Sequence, residues 1–148
     1  MAGAIEYLQE HGVKNIEIIE GSWVGARTEE ACRSAGYEAV CKTYGVPFYD
    51  LKQYSATQVQ TPFGPIAICD RARTADFLIN LPVLKKHCQA VMTCALKNCK
   101  GCFPDREKRR FHAAGLMKPI AALAWALRPH LTKVFGHLQQ SKRFACST

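Results

Sequence analysis

The chain lacks the apolar segments that membrane and secreted proteins need. A membrane-spanning helix requires roughly 20 consecutive apolar residues, and no stretch of the 148 residues approaches this length. A signal peptide requires a basic N-terminal region followed by an apolar core, and "MAGAIEYLQEHG" has neither. We therefore expect a cytoplasmic protein without a membrane partner.

Several motifs of cofactor-binding proteins are also missing. The sequence contains neither the GxGxxG nor the GxxxxGK[ST] spacing that cradles a phosphate, and it lacks the C-x2-C-x2-C-x3-C-P pattern of bacterial ferredoxins. It has no internal repeat and no low-complexity linker. This organisation predicts a single α/β domain over residues 1–137, followed by a tail over residues 138–148.

Acidic residues become scarce in the second half of the chain. Residues 1–84 contain seven Lys and Arg against ten Asp and Glu, a net charge of −3, whereas residues 85–118 contain nine against two, a net charge of +7. Residues 119–148 contain four basic and no acidic residues. A local excess of one sign often marks a surface for the opposite charge, here a phosphate, a carboxylate, nucleic acid or an acidic partner.

The order of apolar patterns and turn residues predicts an α/β fold. We expect helices ending near Gly12 and Gly45, the second interrupted at Gly36, each followed by a short strand. "TQVQTPFGPIAIC" predicts a small inserted β-hairpin, and "DFLINLPVL" a strand buried on both faces. Further helices are predicted over about residues 88–98 and in "MKPIAALAWALRPHL". The whole order predicts a mainly parallel sheet with flanking helices.

Two strand-to-helix loops are candidate ligand sites, because open α/β sheets bind ligands at the carboxyl ends of their strands. In "EGSWVGART" the following Glu29 and Glu30 complement the helix dipole and repel an anion, so this loop reads as a simple turn. In "NLPVLKKHCQAVMT", Lys85 and His87 directly precede the predicted helix 88–98, where cations oppose the dipole. A bound phosphate or carboxylate would resolve that conflict. Thr93 and Lys97 would lie on the same face of this helix and extend the site.

Three cysteines suggest a metal site as an alternative. Cys94, Cys99 and Cys102 have the C-x4-C-x2-C spacing of plant-type [2Fe-2S] ferredoxins, and Cys99 with Cys102 provides one zinc-type pair. Against this, "TCALKN" contains strong helix formers, and on a helix Cys94 and Cys99 would be about 140° apart. An iron-sulfur or zinc electron-transfer module therefore stays a second hypothesis.

The basic segment over residues 100–112 suggests a third hypothesis. Within "FPDREKRRFH", Phe103 and Phe111 could stack on bases while Arg and Lys contact phosphates. No nucleic-acid-binding module surrounds the segment, so a solvated helix with buried aromatic residues is the expected arrangement and nucleic acid the less favoured partner.

Three stretches of the chain closely resemble one known family. "IEIIEGSWVGARTEEA", "ADFLINLPVLKKHCQAVMTCALKNCKGCFPDREKRRFH" and "GLMKPIAAL" are similar to the domain of unknown function family 362, with a resemblance that runs from about residue 4 to residue 132. The resemblance implies an α/β fold. It also implies a redox context, because many members carry a separate ferredoxin-like segment, so an iron-sulfur cluster enters by family association and a ferredoxin-like protein is a possible partner.

The resemblance also names site residues. The family pattern L-P-x-x-K-x-H-x-x-T-x-x-T-x-x-x-K-N-x-x-G matches this chain at Leu81, Pro82, Lys85, His87, Thr93, Lys97, Asn98 and Gly101. Ala90 stands where the pattern has its first threonine. The pattern implies that Lys85, His87, Thr93, Lys97, Asn98 and Gly101 bind a cofactor or other anionic small molecule, while the reaction, if any, is not specified.

Both ends of the chain depart from the family. Members begin with a further strand before Ala4 and continue after "LT" with an acidic, glycine-containing strand and loop, whereas this chain continues with "KVFGHLQQSKRFACST". We expect a truncated member whose exposed sheet edges favour a homo-oligomer.

Overall fold

The structure is a computed structural model that describes residues 1–87 and 90–127, and the backbone of residues 131–132 and 135–136. Its first unit is a parallel strand pair joined by helices. The elements are α1 (Ala2–Glu10), β1 (Ile18–Glu20), α2 (Thr28–Ser34), α3 (Tyr37–Tyr44) and β2 (Phe48–Asp50). Ile18 pairs with Phe48 in parallel register. Gly36 and Gly45 adopt positive φ angles of 79° and 65°, so the predicted interruption and end of the second helix are confirmed.

The predicted β-hairpin is present and lies against the core. After a 3₁₀ turn at Leu51–Gln53, β3 (Ala56–Val59) pairs with β4 (Ile66–Cys69) in antiparallel register, and α4 (Asp70–Arg73) follows. All four residues of β4 are buried. The Arg110 guanidinium donates to the Pro65 carbonyl over 2.9 Å, which ties the turn of this hairpin to a later helix.

The central segment differs from the prediction. The single apolar strand expected over "DFLINLPVL" is divided at buried Pro82 into β5 (Ile79–Asn80) and β6 (Val83–His87). Proline has no N–H to donate to a neighbouring strand, so a continuous ladder cannot pass through it. The predicted helix over residues 88–98 is also wrong. Residues 91–93 form β7 (Val91–Thr93), which pairs with β6, and only α5 (Ala95–Asn98) and a 3₁₀ turn (Cys99–Cys102) are helical.

The C-terminal part supplies two longer helices. α6 (Asp105–Ala114) begins after Pro104 and carries Asp105 and Glu107 in its first turn, where acidic side chains complement the helix dipole. α7 (Met117–Leu127) has Pro119 in its first turn, as predicted. Two short strands then follow, β8 (Leu131–Thr132) and β9 (Phe135–Gly136), which pair in parallel with β5 and β6.

The mixed α/β class is confirmed, but the described strands do not form the expected mainly parallel sheet. They pair in four small sheets with the orders β1-β2, β3-β4, β5-β8 and β7-β6-β9. Three of these pairings are parallel and two are antiparallel. Strands of two to five residues provide few ladder hydrogen bonds, so side-chain packing has to hold these sheets together.

That packing comes mainly from one apolar cluster beneath α5, α6 and α7. Its centre contains Phe103 and Leu123, which are 1% and 0% exposed, and it extends to the hairpin through Ile66 and Ile68. Cys69, Cys99 and Cys102 belong to the same cluster. A second, smaller cluster of Ile5, Ile18 and Val46 joins α1 to the first strand pair. The main core therefore lies directly under the segment that carries the predicted site.

Two predictions concern parts of the chain beyond this description. The predicted tail over residues 138–148 lies outside the described residues, and the single domain over residues 1–137 stays a prediction. Within the described ranges, no helix combines the length and apolar character required to cross a membrane.

Candidate functional site

Lys85, His87 and Thr93 lie on one face of the β6–β7 hairpin. Lys85 is opposite Thr93 and His87 is opposite Val91, and side chains two residues apart on a strand point to the same face. The two cations therefore do not precede a helix N-terminus, and the helix-dipole conflict inferred from the sequence does not arise. Thr93 is 8% exposed, and its Oγ1 is buried without a hydrogen-bond partner among the described atoms.

His87 is held in one tautomer by its own turn. The Ala90 backbone N–H donates to His87 Nδ1 over 3.1 Å, so the neutral ring carries its proton on Nε2. Burial lowers the pKa of His87, and the positive charges of Lys97, Lys100, His112 and Lys85 lower it further. The hairpin thus places a neutral imidazole among several positively charged side chains.

Lys100 and His112 provide the closest contact between basic side chains at this site. Lys100 Nζ lies 2.6 Å from His112 Nε2, a distance at which the ammonium donates to the neutral imidazole. Burial and the charges of Lys97 and Lys108 lower the pKa of Lys100 to about 8. Burial, Lys100 and Lys97 also lower the pKa of His112. We refer to His87, Lys97, Lys100 and His112 as the cationic cluster.

The family pattern contains only half of this cluster. His87 and Lys97 belong to the pattern, whereas Lys100 and His112 do not. Lys100 lies between two cysteines, and His112 lies at the end of a basic helix. The signal that includes all four residues is the net charge of +7 over residues 85–118, which gives no indication of which side chains converge.

Asn98 and Gly101, the remaining predicted residues, are engaged in contacts within the fold. Asn98 Nδ2 donates to Asn80 Oδ1 over 2.8 Å, and Asn80 Nδ2 donates to the Ala95 carbonyl over 2.8 Å. Gly101 packs against Gly21, where an added Cβ would lie 2.2 Å from the Gly101 oxygen. These contacts fix α5 and the 3₁₀ turn at Cys99–Cys102, here called the cysteine turn, relative to β5 and to the loop after β1.

Residues Gly21 to Ala26, here called the first loop, form the other wall of the site. The buried Lys108 ammonium donates to the carbonyls of Gly21 and Ser22 over 3.2 and 2.8 Å. Lys52 donates to the carbonyls of Trp23 and Ala26 over 2.9 and 2.8 Å. Asp105 forms ion pairs with both lysines, its carboxylate oxygens lying 3.3 Å from Lys52 Nζ and 3.6 Å from Lys108 Nζ. The interpretation of this loop as a simple turn is therefore incomplete, because two lysines and a carboxylate fix its backbone against α6.

A cleft of about 520 Å³ lies between the first loop and α6. Two members of the cationic cluster, Lys100 and His112, face this cleft. Its lining residues are Trp23, Val24, Lys100, Lys108, Arg109, His112 and Ala113. The cleft therefore combines an aromatic side chain with several cationic groups.

Two of the three cysteines of the metal hypothesis, Cys99 and Cys102, belong to the main core. Cys99 and Cys102 are buried and Cys94 is half-buried. Burial raises the pKa of Cys99 to about 11 and raises that of Cys102 further. Cys99 Sγ donates to the Ala95 carbonyl over 3.6 Å. Over residues 1–87 and 90–127, no three His, Cys, Asp or Glu side chains are arranged to hold a metal ion, and Cys88 lies outside the described residues.

The aromatic residues of the basic segment are also unavailable to a ligand. Phe103 and Phe111 are 1% and 4% exposed, and their ring centroids lie 4.6 Å apart within the core. They cannot stack on bases, so the specific contact suggested for nucleic acid by the sequence is wrong. The solvated helix with buried aromatic residues is what the structure contains.

The sequence profile of the family described as Domain of unknown function (DUF362) matches residues 1–140. The chain belongs to the DUF362 family. It is also similar to the thylakoid-associated protein sll1697 of Synechocystis sp. (strain ATCC 27184 / PCC 6803 / Kazusa), with 31% identity over 77 residues. This alignment covers 52% of the chain and 24% of the relative, so the chain spans only part of that protein's length. No solved structure matches the chain.

Proposed function

We propose that this DUF362 chain binds a small anionic molecule or cofactor, bearing a phosphate or carboxylate, at the cationic cluster. The observation that carries the proposal is the convergence of four basic side chains, two of them 2.6 Å apart. The sequence has no acidic residue between Asp76 and Asp105. The positive charges of Lys97 and Lys100 repel each other, and an anion bound between them would turn this repulsion into attraction.

The geometry suggests a role for each predicted residue. Lys97 and Lys100 would neutralise the anion, and His87 would donate a hydrogen bond from Nε2 or transfer a proton. Lys85 and Thr93 share the hairpin face of His87 and would extend the site toward the rest of the ligand. Asn98 and Gly101 would act indirectly, because their contacts position α5 and the cysteine turn.

The alternative functions have weaker support. A cysteine-based electron-transfer module requires thiols that converge on a metal, whereas Cys99 and Cys102 are buried in the main core. A redox context and a ferredoxin-like partner rest on family association alone. These two, together with association through sheet edges and a cytoplasmic location, stay predictions.

Isothermal titration calorimetry with pyrophosphate, citrate and ribose 5-phosphate tests the anion site. We expect at least one probe to bind, and Lys97→Met and Lys100→Met each to weaken its binding about tenfold or more, because each removes a charge-assisted hydrogen bond. Lys42→Met, which removes an exposed lysine of α3, is the matched control and should bind like the wild type.

Two results would contradict the proposal. Failure of all three probes to bind the folded wild-type chain is one. Equal weakening by Lys42→Met and Lys100→Met is the other, because it would indicate attraction to the overall positive charge.

A further inference from the structure

Trp23 is the most conspicuous apolar side chain at the candidate site. It is 72% exposed, although an indole ring usually gains stability by leaving water. Its ring lies directly over Gly25, where an added Cβ would be 2.0 Å from Cη2. Any other residue at position 25 would therefore displace the ring. One face of the indole rests on backbone, and the side chain remains largely open to solvent.

The backbone beneath this ring is fixed. Lys52 donates to the carbonyl of Trp23 itself and to that of Ala26, and Lys108 holds Gly21 and Ser22. Lys108 is 3% exposed, so this anchor is part of the protein interior. A ring held in place before a ligand arrives loses little freedom on binding, which favours affinity.

Trp23 also lines the same cleft as Lys100 and His112, with Arg109 beside them. One molecule bound there can touch the indole and the cations at the same time. The cleft volume of about 520 Å³ exceeds what a single phosphate group needs and lies within the range of roughly 300–1,000 Å³ that is typical of pockets for small organic ligands.

We propose that the ligand of this cleft is nucleotide-like: a planar heteroaromatic ring stacks on Trp23 while its phosphate or carboxylate binds Lys100 and His112. Arg109 contributes further positive charge. This inference rests on the proposed anion site and adds the chemical class of the ligand. Stacking on an aromatic side chain tolerates many ring types because every base has a π face.

The experiment compares phosphate ligands with and without an aromatic ring. Calorimetric titrations use ribose 5-phosphate as the probe without an aromatic ring, and AMP, which adds adenine to the same sugar phosphate, and FMN as the probes with one. We expect AMP or FMN to bind about tenfold or more tightly than ribose 5-phosphate. Trp23→Leu should remove this preference without changing ribose 5-phosphate binding, and Trp23→Phe, which keeps a ring, should retain part of it.

Trp125→Leu is the matched control. Trp125 is the other tryptophan of the chain, is 43% exposed and lies on α7 away from the cleft lining. This variant should keep the preference for the ring-bearing probes. Thermal unfolding midpoints of all variants confirm that they are folded.

The outcomes separate the ligand class from the anion site. Ribose 5-phosphate, AMP and FMN binding equally well would overturn the nucleotide-like ligand and leave the anion site intact. An unchanged preference in Trp23→Leu would also overturn it. Absence of binding by ribose 5-phosphate, AMP and FMN, together with pyrophosphate and citrate, would remove both proposals. A single-stranded decanucleotide that binds far more tightly than AMP, and loses this affinity in Trp23→Leu, would replace the small molecule with nucleic acid.

Discussion

The first loop, Gly21 to Ala26, and the β6–β7 hairpin, Val83 to Thr93, contribute to the same region in opposite ways. Four carbonyls of the loop accept hydrogen bonds from Lys52 and Lys108, and both lysines form ion pairs with Asp105. In the hairpin, His87 lies among positive charges that lower its pKa. In the loop, each lysine has carbonyl and carboxylate partners. In the hairpin, the imidazole of His87 is surrounded by other positively charged side chains.

This difference shows why local sequence rules misjudge both regions. The loop looks unsuited to an anion because Glu29 and Glu30 follow it, but the residues that face its interior come from distant positions such as Lys108. The hairpin looks like a helix preceded by misplaced cations, but its cations gather through tertiary contacts with α5 and α6. The charge around a site depends on which chain segments meet there. Sequence rules such as the helix-dipole argument consider only one segment at a time.

Removing the anchor of the first loop should have the largest effect. Lys108→Met keeps the length of the side chain but leaves the Gly21 and Ser22 carbonyls and part of Asp105 without their partner. We expect a loss of about 3 kcal/mol in the free energy of unfolding, measured by urea denaturation. Lys86→Met, in the exposed part of the hairpin, is the matched control and should change it by less than about 0.5 kcal/mol. Equal effects of the two variants would mean that the loop is not anchored by Lys108.

A smaller effect is expected where the loop touches the cysteine turn. Gly21→Ala would place a Cβ 2.2 Å from the Gly101 oxygen, so the backbones must separate at a cost of about 2 kcal/mol. Gly3→Ala in α1 is the control with the opposite sign, since its Cβ has room and alanine favours a helix. The same denaturation series measures both variants. Wild-type stability in Gly21→Ala would disprove the close approach of the two turns.

The smallest effect concerns acidification of the hairpin. His87 has a folded-state pKa below its ordinary value of 6.5, so the unfolded chain takes up this proton first as the pH falls. Its contribution to stability is therefore complete above about pH 6.5 and is lost as the pH falls below that value toward the folded-state pKa. Melting temperatures at pH 7.5 and 5.5 should show a smaller decrease in His87→Gln than in the wild type. An equal decrease in both would argue against a histidine held among cations.

Much of the local structure could be predicted, because it depends on signals within a few residues. Gly36 and Gly45 adopt the positive φ angles that divide and end the second helix, and Pro119 lies in the first turn of α7. The inserted hairpin was visible in its apolar strands and in the turn residues around Gly64. In each case the residue that sets the conformation lies within the element itself.

The errors occur where distant contacts override local preference. Residues 91–98 contain helix-forming side chains, but Val91 and Thr93 pair with His87 and Lys85, and Val91 does so with a positive φ of 61°, which no local preference of valine predicts. The roles of Lys100, His112 and Trp23 depend on the meeting of the first loop, the cysteine turn and α6. The spacing of residues within any one of these segments does not predict that the three segments come into contact.

The reaction rates of the buried thiols can measure local opening of the fold. Cys32, Cys69, Cys99 and Cys102 are all buried, and burial raises the pKa of each. A disulfide reagent such as DTNB can react with them only when their surroundings open. Cys32 lies on α2, whereas Cys99 and Cys102 lie in the main core, on either side of Lys100 in the chain. Their separate labelling rates therefore report how often each part of the fold opens.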